Sequence, residues 1–217
     1  MIRKFTYFLL SLSLISWQLT VKKIYSSEIN IQWSENVSGD FSFKENWDYP
    51  EGVYKNDFGQ ISCEGLCPPE IDRMMNKKGK IFKDSLHAFY QLVDTSHQFH
   101  SIQSNVNAYE WAGTNFLSAI KKNTDTIVCH THNNAATHSS LKLTITKNSC
   151  IPVIELTSIS SPGTTTYACQ GGQIEIDKNL WNNGVLKANF EFSFHDPEQP
   201  DIPLFWTGKI YALIENE

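Results

Sequence analysis

The strongest constraint on the fold is a strict two-residue alternation near the C-terminus. Leu186, Ala188, Phe190, Phe192 and Phe194 alternate with Lys187, Asn189, Glu191 and Ser193. A period of two puts the apolar set on one face of a strand and the polar set on the other, whereas a helix would scatter both around its axis. A Pro-rich acidic loop follows, holding Asp196, Pro197, Glu198, Pro200, Asp201 and Pro203. The alternation then resumes, with Leu204, Trp206, Gly208, Ile210, Ala212 and Ile214 on one parity. Two one-sided strands joined by one loop predict an antiparallel hairpin with one face on a core. Upstream, Ile127, Cys129 and Thr131 share a face opposite Val128, His130 and His132. Leu141, Leu143 and Ile145 alternate with Ser140, Lys142 and Thr144. Ile151, Val153, Ile154 and Leu156 predict a further strand, Tyr167 lies in the next, and residues 172–176 open another. Many short strands with turn signals between them predict a mostly β fold, an antiparallel sandwich or barrel.

One or two short α-helices are expected beside the strands. Residues 68–79 read as one: Pro68 and Pro69 start it, Glu70 and Asp72 sit near its N-terminus, Lys77 and Lys78 near its end, and Gly79 caps it. A second is expected from about Ser85 to Asp94, where Leu86, Phe89, Tyr90 and Val93 recur at helical spacing. Residues 109–120 fit a helix or a strand equally well.

The first residues set the domain organisation. Arg3 and Lys4 precede an apolar run from Phe5 to Val21, which is the order of a signal peptide. An uncleaved anchor is the rival reading, because the run just reaches spanning length. Residues 1–27 are therefore expected to be a signal peptide or N-terminal anchor, and residues 28–217 a single β-rich globular domain. The expected location is secreted or periplasmic, with membrane contact only through an uncleaved N-terminal segment.

Export implies an oxidising compartment, where thiols pair. The five cysteines are Cys63, Cys67, Cys129, Cys150 and Cys169. The turn signal Ser161-Pro162-Gly163 lies near the midpoint of Cys150 and Cys169, so hairpin symmetry predicts a bond between them. Cys63 and Cys67 flank a short loop and predict a second. Cys129 is left as a small buried hydrophobe.

Charge excludes one partner class. The net charge is −5 and no Lys/Arg-rich run is present, so nucleic acid is not an expected partner. The sequence also lacks a glycine-rich phosphate loop, a Gly-x-Ser-x-Gly elbow and a His-Glu-x-x-His motif. Histidine is the one enriched candidate. His130 and His132 lie on one strand face, about 7 Å apart along it. His138, beyond the next loop, shares their parity through Ser140 and Lys142. His97 and His100 form a second pair. Three imidazoles and a water make a catalytic zinc site, so a metal-dependent hydrolase on His130, His132 and His138, with His97 or His100, is one reading. The bland alternative is that these are polar side chains on the solvated face of a sheet. The reading preferred is a non-catalytic binding module without a cofactor, whose partner is an extracytoplasmic protein or a glycan. Trp47, Tyr49, Tyr109 and Trp111 are its candidate binding platform. A secreted inhibitor or immunity-type protein is a third reading.

Overall fold

The computed structural model describes residues 26–131, 137–160 and 162–217. Almost all of the expected export segment lies outside the described residues, as do His132 and Ser161. The fold is mostly β, as the alternation predicts. Its strands are β1 (Ile29–Ser34), β2 (Trp47–Asp48), β3 (Val53–Lys55), β4 (Ile61–Cys63), β5 (Gln98–Phe99), β6 (Ile102–Asn107), β7 (Leu117–Asn123), β8 (Thr126–Thr131), β9 (Ser139–Ile145), β10 (Ser149–Thr157), β11 (Thr164–Asp177), β12 (Val185–His195) and β13 (Leu204–Asn216). Two short helices are α1 (Leu86–Leu92) and α2 (Lys178–Asn182).

Nine strands form one sheet, and its pairings close on themselves. From β7 the neighbours run β8, β9, β10, β11, β12 and β13, and the end of β13 returns to β7 in parallel. β6 extends the β13 edge beside β7, and β1 wedges between β10 and β11. The result is a barrel, which removes the open edges of a flat sheet. The inward parity is the one read from the sequence. Leu186, Ala188, Phe190, Phe192 and Phe194 face Trp206, Ile210, Leu141, Leu143, Ile145, Ile174 and Ile176 in one continuous apolar interior. Two long strands cross closely at Gly172, whose φ is +147°. A Cβ there would lie 2.1 Å from the Glu191 carbonyl oxygen, so only glycine fits.

The wedge of β1 corrects the expected Cys150–Cys169 bond. Both thiols are free and buried, as is Cys129. β10 and β11 pair from Val153 with Ala168 to Thr157 with Thr164, a register that sets Cys169 opposite Pro152. Beyond that point the N-terminal segment enters between them. Ile29 pairs with Cys150, and the Ser27 amide donates to the Cys169 carbonyl at 2.8 Å. The two cysteines thus belong to strands that part before their sulfurs meet.

Residues between β1 and β6 form a satellite layer with its own small core of Cys63, Ile71, Ile81, Phe89 and Val93. The expected Cys63–Cys67 disulfide is present there. The helix expected over 68–79 is shorter, a 3-10 segment over Pro69–Met74. Met75 turns extended and pairs with Ile81. The intervening turn is held by the Asn76 side chain, which accepts the Lys78 and Lys80 amides at 2.8 and 3.1 Å. That local bonding outcompetes continued helix. The helix expected over 85–94 is present as α1, and 109–120 resolves into a loop followed by β7.

Candidate functional site at one mouth of the barrel

The barrel interior is filled by side chains, and each of its two mouths gathers polar and aromatic residues. One mouth is built by the β7–β8 turn, the β9–β10 turn, α2 and the end of β13. It holds an open cleft of about 810 Å³ lined by Trp33, Trp181, Lys121, Lys147, Lys178, Asp125, Asn148, Asn182 and Asn216, among others. Trp33 and Trp181 meet edge to face, centroids 5.4 Å apart and planes at 71°. The Trp33 indole N–H donates to the Lys147 carbonyl at 3.3 Å. With its polar handle occupied and its side chain still 36% exposed, Trp33 presents mainly ring surface. Trp181 packs against the barrel core.

Local structure fixes this pair. Asp177 ends β11 and caps α2, accepting the Leu180 amide at 3.0 Å. Its other oxygen accepts the Val37 amide at 3.2 Å and lies 3.8 Å from the Lys187 ammonium. One buried carboxylate therefore ties the end of β11, the chain after β1 and β12 together, and so sets where Trp181 stands. Lys121, Lys147 and Lys178 make no ion pair among the described residues, and Asp125 is the cleft's one acidic lining residue.

The opposite mouth is acidic. Tyr109 donates to Asp196 at 2.8 Å and packs on Tyr167, ring centroids 5.4 Å apart. Burial, the bond to Asp196 and its charge push the Tyr109 hydroxyl up to about 12. Burial raises the Asp196 carboxyl, but the Glu198 amide and Tyr109 hydroxyl outweigh it and hold it below the ordinary value. Glu110 has φ +58°, a left-handed conformation unusual for a non-glycine residue. It is held there by the Ser158 hydroxyl at 2.6 Å and the Ile159 amide at 3.3 Å. Next to it, Trp111 is 77% exposed.

The histidines are dispersed. His130 lies on the outer barrel face, 3.3 Å from Glu155, which Lys142 also contacts at 2.8 Å. His138 bonds the Thr157 carbonyl at 3.0 Å and stands 3.8 Å from Glu110. His97 stacks on Trp47 with centroids 3.5 Å apart, and Trp47 meets Tyr49 edge to face. His100 bonds Asp48 at 2.8 Å. Each of these four histidines has its own partner, and among the described residues no group of three or more His, Cys, Asp or Glu side chains is placed to hold a metal ion.

Of the four aromatics expected as a platform, Trp47 and Tyr49 share one cluster with His97, while Tyr109 and Trp111 belong to the acidic mouth. Trp33 and Trp181 escaped sequence reasoning. Trp33 shares the parity of Ile29 and Ile31 and so reads as core. The available signal was Trp181, a large aromatic in the polar turn Lys178-Asn179-Leu180-Trp181-Asn182-Asn183-Gly184 between two strands. No protein-family model matches this chain, and no curated protein or solved structure matches it either.

Proposed function

We propose that this chain is an exported, non-catalytic β domain that binds a glycan at the mouth holding Trp33 and Trp181. The observation that carries the reading is the perpendicular indole pair in an open cleft, with the Trp33 N–H already committed to the Lys147 carbonyl. A free indole face has a negative quadrupole that attracts the C–H face of a sugar ring. The carboxamides of Asn148, Asn182 and Asn216 line the same cleft and suit hydroxyl groups as donors and acceptors. Elsewhere, acid–base side chains are engaged in holding the fold: Asp196 with Tyr109, Glu110 with Ser158, Glu155 with Lys142. That favours binding over catalysis. The Cys63–Cys67 disulfide and the basic-then-apolar N-terminus support an extracytoplasmic location. No helix among the described residues is long and apolar enough to cross a membrane.

The test is titration with a panel of oligosaccharides, read by intrinsic tryptophan fluorescence and calorimetry. Binding by at least one of them should weaken about tenfold or more in Trp33→Ala and in Trp181→Ala, the equivalent of about 1.4 kcal/mol of lost stacking. Affinity unchanged in both variants would overturn the reading. A second reading, a protein contact of the inhibitor type, rests on Trp111, whose exposed indole beside a strained and hydrogen-bonded Glu110 has the character of an interface anchor.

A further inference from the structure

The described lysines divide into those with a partner and those without. Lys122, Lys142 and Lys187 face carboxylates, Lys209 donates to the Asp40 carbonyl, and Lys44 and Lys80 lie over aromatic rings. Of the described lysines without such a contact, Lys55, Lys77, Lys78 and Lys83 lie in the satellite layer, whereas Lys121, Lys147 and Lys178 come from β7, the β9–β10 turn and α2 to line one cleft beside two indoles. The setting makes this notable. The chain carries a net charge of −5, and the four basic residues Arg3, Lys4, Lys22 and Lys23 all precede the described part, which is more acidic still. The other mouth carries Glu110, Asp196 and Glu198, so charge is separated along the barrel axis. Three ammonium groups against the single carboxylate of Asp125 leave the cleft net positive, and an anionic ligand relieves their mutual repulsion while gaining attraction.

We infer that the glycan taken at this mouth is acidic, a saccharide bearing carboxylate or sulfate groups. The inference rests on the glycan reading above. The indoles hold a ring face, and Lys121, Lys147 and Lys178 hold the anionic substituents around it. Lysine is a point charge without the planar fork of arginine, so the site selects charge more than anion geometry. The same lysines and indoles suit a single-stranded nucleic acid, but the carboxamides of Asn148, Asn182 and Asn216 in the cleft favour a ligand rich in hydroxyl groups.

The experiment titrates the exported chain with oligogalacturonate, its fully methyl-esterified neutral form, a sulfated galactan oligosaccharide with its desulfated form, and a single-stranded oligodeoxynucleotide. The expected result is at least about tenfold tighter binding of one acidic saccharide than of its neutral form at low salt, a gap that narrows as salt screens it. Whether the carboxylated or sulfated compound is preferred names the group. The triple variant Lys121→Gln, Lys147→Gln, Lys178→Gln should abolish the preference while its thermal melting matches the parent. Trp33→Ala should weaken acidic and neutral forms alike. Neutral forms bound as tightly as acidic ones would overturn the inference and leave the glycan reading standing. No binding of any saccharide would overturn both. Tighter binding of the oligodeoxynucleotide than of every saccharide would overturn both in favour of nucleic acid.

Discussion

Glu155 shows how one exposed-face contact is worth little yet is readable by pH. It lies on β10 between the Lys142 ammonium at 2.8 Å and the His130 ring at 3.3 Å. Burial pushes its carboxyl up, but the hydrogen bond and charge of Lys142, with His130, outweigh that and hold it below the ordinary 4.5. A carboxyl lowered in the folded state adds stability above its unfolded pKa and loses it as pH falls through the folded value. Glu155→Gln should therefore destabilise near neutral pH by no more than about 1 kcal/mol, since the pair is partly solvated. The gap from the parent should close on acidification below the ordinary carboxylate range. Urea unfolding of both proteins at neutral and acidic pH checks this, and a gap that persists in acid would mean that packing, not charge, set it.

At the scale of the element, α2 depends on one buried side chain. Asp177 is 3% exposed and supports the first turn of a helix only five residues long. A helix that short has almost no intrinsic stability, so cap and tertiary contacts decide it. Asp177→Ala removes the cap and leaves the Val37 amide without its acceptor, which together should cost about 1–3 kcal/mol. Because Trp181 rides on α2, its emission should shift in the same variant, and Asp177→Asn should retain more of both. A melting temperature equal to the parent's in Asp177→Ala would show that Trp181 is held by its core packing alone.

The whole molecule makes a prediction about its thiols. Cys129, Cys150 and Cys169 all point into the closed barrel and are buried. Burial pushes the Cys129 thiol up to about 12 and the Cys150 thiol well above its ordinary value. Protonated and shielded, they should not react with an aromatic disulfide reagent in the native protein. After unfolding without reductant, three thiols should titrate and two should remain as the Cys63–Cys67 bond. A count of one thiol would show a second bond among Cys129, Cys150 and Cys169, and peptide mapping without reduction would say which pair forms it.

Much of the barrel was legible because alternation is a local property. The inward parity of β8, β9, β12 and β13 follows from Ile127, Leu141, Phe190 and Trp206 and their neighbours, since a period of two assigns faces without knowledge of the partner strand. On β10 the same logic assigns no face, because the run is apolar on both: Ile151 and Val153 face outward, while Cys150, Pro152, Ile154 and Leu156 face in. The 68–79 helix failed where Asn76 found nearer hydrogen bonds than the helix offered. The parity that put His130 and His138 together was a statement about faces and not about neighbours along them. Their partners, Glu155 and Glu110, come from elsewhere in the chain. By itself the sequence determined the fold class, the inward face of β8, β9, β12 and β13 and the Cys63–Cys67 pair, all of which depend on spacing within a few residues. Only the tertiary structure decided the insertion of β1 between β10 and β11, and the meeting of Trp33 with Trp181 among Lys121, Lys147 and Lys178. Those positions are distant along the chain, and which of them meet is set by strand order and register, which local periodicity does not encode.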